Sequence, residues 1–183
     1  MNAINSHTST ADPTEGRAKP YSSVRVFLHW LSALIIIWAT VSGFGVALLP
    51  KGDALRQWVE ALNPQVSTLF IPFFAWRFWL HLKAPVPATR VKTTQATLAR
   101  VTHIALYLLI AGVLITGVLM MTHPVILLTL IPMPQLIHST PALAELHSVH
   151  HVLCALLAVL VILHLLAVIK HQMTGRSVLY RMR

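Results

Sequence analysis

Residues 150–170 read HHVLCALLAVLVILHLLAVIK, an apolar run whose first Lys or Arg is its last residue. A spanning helix needs about 20 predominantly apolar residues to cross a hydrocarbon core about 30 Å thick. The stretch satisfies that requirement, yet it holds His150 and His164, fourteen residues apart. Fourteen residues on an α-helix make about four turns, so both rings face nearly one side, about 40° apart and roughly 21 Å apart along the axis. One imidazole therefore lies near each leaflet. An ionisable side chain at membrane depth is costly and marks a functional site by default.

Working outward, three more apolar segments precede this one. Residues 27–49, FLHWLSALIIIWATVSGFGVALL, carry no Asp, Glu, Lys or Arg; residues 61–82 and 101–121 follow, and the last span is drawn at 149–169. Hydrophobic residues make up 56% of the 183, charged residues only 10%, and the mean hydropathy is +0.69. A soluble domain carries about 25% charged residues. The sequence predicts an all-α fold, an integral membrane four-helix bundle. Residues 1–20 read as a disordered cytoplasmic tail and residues 21–183 as the four-helix transmembrane domain. The first span is too long for the apolar region of a cleavable signal. Pro64, Pro72 and Arg77 interrupt the second span. Pro64 fits a first helical turn, and Pro72 predicts a kink. Residues 84–97 form a polar loop. Within the outer connection at 122–146, the apolar residues 125–133 are expected to lie in the membrane interface. Trp30, Trp58, Trp76 and Trp79 form an interfacial belt, and Gly43, Gly45, Gly112 and Gly117 permit close helix approach. Cys154, the only cysteine, allows no internal disulfide and reads as a small buried residue.

Basic residues set the orientation. Arg17, Lys19 and Arg25 lie in the N-terminal region; Arg77, Lys83, Arg90, Lys92 and Arg100 flank the second-to-third connection; Lys170, Arg176, Arg181 and Arg183 close the chain. Only Lys51 and Arg56 fall on the other side, twelve against two. The positive-inside rule then places both termini in the cytoplasm. The net charge of +9 is thereby read as topology and anionic-lipid contact, with no nucleic-acid partner.

With that topology His29 and His164 share a depth on different helices, the geometry of a bis-imidazole haem in a bundle. His150 lies near the periplasmic end. The bland alternative is a polar residue satisfied by a neighbouring helix. His103, opening the third span, suits a haem propionate, a quinone head group or a plain interfacial position. Arg77 either snorkels to the interface or pairs with a propionate carboxylate. His147 and His151, one turn apart, lie at the outer boundary. His81 reads as interfacial, and His7, His123, His138 and His171 as solvated.

The chain resembles the prokaryotic cytochrome b-561 family over residues 21–183. The likeness rests on FLHW around His29, AWRFWLHLKAPVP around Arg77, and THIALYLL with TGVLMM after His103. It continues through LHSVHH around His150 and LHLLAVIKH with VLYRM beyond His164. The resemblance implies a multi-pass cytochrome of the bacterial inner membrane that holds two b haems and exchanges electrons with ubiquinone. It also implies a histidine opening helix two, paired with the one matching His150 around the periplasmic haem. Fourteen residues before Arg77, where that histidine is expected, this chain has Asn63. An amide is a poor ligand for haem iron. The expectation is therefore one haem b on His29 and His164, with a second site on His150 that is empty, five-coordinate, or rescued by His123 or His138.

Three other functions compete. Some relatives resemble superoxide oxidases, which would make this a superoxide:quinone oxidoreductase; a broken two-haem relay weighs against that. A membrane anchor or electron conduit could dock a periplasmic redox protein on His147, His150 and His151. A non-redox metal transporter ranks low: none of Asp12, Glu15, Asp53, Glu60 and Glu145 lies in a span interior, and hard cations want such oxygens.

Overall fold

The computed structural model describes residues 22–83, 94–122, 125–127 and 131–174. The expected tail at 1–20, most of the 84–97 loop, His123 and the basic residues Arg176, Arg181 and Arg183 lie outside the described residues. Four helices follow one another: α1 (Ser23–Val46), α2 (Ala54–Leu82), α3 (Thr94–Leu119) and α4 (Thr140–Met173). Between α3 and α4, β1 (Val125–Leu127) and β2 (Ile131–Met133) pair antiparallel, Ile126 opposite Pro132. Hydropathy alone gave this stretch no hairpin. Its reason is local: Ile131 and Met133 each precede a proline, which drives the preceding residue to extended backbone.

The helices start earlier than apolarity suggests, and at α2 a side-chain cap sets the start. Asp53 Oδ1 accepts from the backbone N–H of Leu55 at 2.8 Å and of Arg56 at 3.3 Å. Such a cap stabilises a helix by about 1 kcal/mol. It starts α2 seven residues ahead of the expected span, so Pro64 lies inside the helix rather than in its first turn. Arg56 Nε donates to Glu60 Oε1 at 2.8 Å one turn on. The helix runs through both Pro64 and Pro72 to Leu82, as bundled membrane helices can when neighbours cover the freed carbonyls. At the other long helix, Pro141 sits in the first turn of α4, where its missing N–H is harmless.

Helices α1, α3 and α4 are each long and apolar enough to cross a membrane. The less apolar α2 supplies much of the core. Its Phe70 and Phe74 pack with Ile110 and Leu114 of α3 and Leu157 of α4, and Ile35 and Ile36 of α1 close over them. Outward, Leu34, Val41, Leu108, Ile115, Val159 and Ile162 are all exposed. A soluble monomer rarely tolerates such an apolar surface; lipid requires it. The molecule is a multi-pass, all-α membrane bundle.

Neighbouring helices run antiparallel. α1 packs along α2, α3 along α4, and α2 also meets α3. Arg25 Nη2 donates to the Leu80 carbonyl at 2.9 Å, tying the start of α1 to the end of α2. The bundle therefore has a first end, with His29, Arg77, His103 and His164, and a second end, with Gly43, Asn63, Thr116 and His150.

Candidate functional site

At the first end each of the four helices contributes a basic side chain. Arg77 Nη2 lies 2.9 Å from His29 Nδ1. A guanidinium only donates, so Nδ1 accepts and the ring proton of His29 sits on Nε2. The same guanidinium lies 5.6 Å from the ring centre of Tyr107. His81 stacks on the same Tyr107 ring at 4.6 Å, and Phe78 lies 5.5 Å from it. The His103 and His164 rings meet edge to face at 5.5 Å. Below His29, Leu28 and Ser32 are the most buried residues of α1, and Ser32 Oγ donates to the Leu28 carbonyl at 2.6 Å. The helices bearing His29 and His164, α1 and α4, are not closely packed on each other. The imidazoles of His29 and His164, on two helices at one end, are the side chains that would hold a haem iron here, where it would supply a one-electron carrier.

At the second end the chemistry differs. Thr116 Oγ1 lies 2.7 Å from the Gly112 carbonyl and 2.9 Å from His150 Nδ1. The hydroxyl has one proton, and the short contact to a carbonyl consumes it. Thr116 therefore accepts from His150 Nδ1–H, and the Nε2 lone pair faces Cys154 Sγ at 3.4 Å. Gly117 lies against the ring: a Cβ there would make ordinary van der Waals contact with His150 Cε1, at 3.4 Å. Across on α2, the Asn63 side-chain oxygen is buried with no hydrogen-bond partner among the described residues. Its amide nitrogen would lie 3.9 Å from a Cβ on Gly43. Among the described residues, His150 is the imidazole at this end that bonds to a facing helix and would hold iron there, with the His151 ring 6.5 Å away on the same helix.

A model for the family described as prokaryotic cytochrome b561 matches residues 20–183. The chain belongs to the prokaryotic cytochrome b561 family. No curated protein matches it. Membership makes the chain a b-type, haem-binding membrane cytochrome of electron transfer. Among the described residues of this b561 cytochrome, no three His, Cys, Asp or Glu side chains gather as a bare metal ion would need.

At the first end Arg77 reaches His29, and His103 meets His164. His138 is exposed on the α3–α4 connection, His151 is exposed, and His147 Nδ1 donates to the Leu143 carbonyl at 3.1 Å. Three side chains of this b561 cytochrome escaped the sequence reading. Tyr107 is the hub against which Arg77 and His81 rest. Thr116 carried a signal, being a hydroxyl in an apolar run. Cys154, read as plain packing, contacts His150 from one turn below.

Proposed function

We propose that His29 and His164 are the axial ligands of one tightly held, low-spin haem b and that this haem exchanges electrons with ubiquinone. The supporting observation is the first end itself: imidazoles on α1 and α4 at one depth, with Arg77 against His29 at 2.9 Å. When bound, haem b supplies a one-electron carrier whose potential is tuned by axial imidazoles, hydrogen bonds and burial. Ligation through His29 Nε2 would place the ring proton on Nδ1, where Arg77 is a competitor rather than a partner. Released from His29, Arg77 is a cation free to pair with a propionate carboxylate, and the Tyr107 face steadies it. His103, against His164 and exposed, is positioned for a propionate or a quinone head group. The twelve-to-two basic asymmetry supports the first end as cytoplasmic, in a bacterial inner membrane.

Asn63 weighs against the superoxide:quinone relay, which needs both haems. Purified protein should show about one tightly held haem per chain from the count of paired ligands, with a bis-imidazole reduced-minus-oxidised spectrum and reduction by a ubiquinol analogue. A reduced haem that no quinone reoxidises would remove the quinone partner and leave the haem assignment standing.

A further inference from the structure

We infer that Thr116 is a positioning residue that presets His150 as a one-sided iron ligand, creating at the second end an open haem site that binds small exogenous ligands. The inference rests on the proposed haem assignment at the first end only in that the two haems must be told apart.

An imidazole binds metal through an unprotonated nitrogen, and its other nitrogen is normally held as a donor by a neighbouring acceptor. His150 already has that arrangement without metal. Its Nδ1 faces Thr116 Oγ1 at 2.9 Å, beside the Val113 carbonyl that also hydrogen-bonds the ring, and Thr116 is fixed in turn by the Gly112 carbonyl at 2.7 Å. The Nε2 lone pair has only the Cys154 thiol, at 3.4 Å. A thiol is a weak donor on a single rotatable bond, so that contact is easily surrendered. At the same end α2 carries Asn63, whose amide belongs to no common class of haem axial ligand. Cys154 lies one turn from His150 on the same helix, so it cannot ligate from the opposite face. Among the described residues no second side chain is placed to hold iron opposite His150, so iron bound there would be left open to a diatomic or a small anion.

The test uses the full-length protein in detergent, titrated with haem and then reduced with dithionite under carbon monoxide. The expected result is a first equivalent that is low-spin and inert to carbon monoxide, and a weaker, saturable second equivalent that is high-spin and reactive. Thr116→Val should weaken the second equivalent roughly ten- to a hundredfold, the usual loss for a partner behind a metal-ligating histidine. Thr116→Ser should restore it, and the low-spin band of the first equivalent reports that each variant is folded. A second equivalent that is six-coordinate and unreactive overturns the proposal. So does the absence of any saturable second equivalent, or a Thr116→Val protein that binds it as tightly as the parent. A first equivalent that is not low-spin would instead count against the haem assignment at the first end.

Discussion

The two ends of this bundle treat histidine in opposite ways. At the first end Arg77 holds His29 Nδ1 as an acceptor and leaves the proton on Nε2. At the second end Thr116 holds His150 Nδ1 as a donor and leaves Nε2 bare. The first end has two imidazoles on separate helices but one in the wrong tautomer for Nε2 ligation. The second has the right tautomer but, among the described residues, one imidazole bonded to a facing helix. Ligand count and ligand readiness are thus separate properties: the count sets how firmly haem is held, the tautomer how little must rearrange to hold it.

The strongest way to break this contrast is to remove an imidazole from the first end. His164→Ala should abolish the low-spin spectrum, read as loss of the reduced-minus-oxidised α-band; a six-coordinate haem retained in full would mean His164 is no ligand. Supplying the missing imidazole tests the other end. Asn63→His should raise haem content from about one toward two per chain and make the second haem unreactive to carbon monoxide. No gain in haem would show that Pro64 misplaces the new ring or that Asn63 does not face the site.

Which end meets the cytoplasm is tested by a reporter active only in the periplasm, fused after Arg183. It should stay silent, and activity would exchange the two ends in every statement of depth. The smallest effect belongs to Asp53→Ala. Loss of that cap should destabilise α2 by about 1 kcal/mol, seen as a modestly lower melting temperature with the first-end spectrum unchanged. A change in that spectrum would show that the start of α2 is coupled to its far end.

The sequence disclosed four helices and the first end because a bilayer is a strict reader. Apolar runs must be long, and His29 and His164 stand out at depth within them. Helix starts escaped, because Asp53 and Pro141 act in water, where hydropathy has no say. Tyr107, Thr116 and the Cys154 contact escaped for another reason: which residue of α3 meets which of α4 is set by helix register, a tertiary property. Thr116 could be suspected of bonding something, but not of choosing His150.

The length of α4 has one more consequence. Its 34 residues make it about 51 Å long, against about 30 Å of hydrocarbon. His150 and His164 lie symmetrically about its middle, ten residues from the start and nine from the end. With the overhang shared equally, each ring sits only about 5 Å beneath the hydrocarbon boundary. Between them lies an insulator of aliphatic side chains. A charge moved from one ring to the other crosses roughly 21 of about 30 Å, so membrane voltage acts on it at about two-thirds strength, roughly 1.6 kcal/mol per 100 mV.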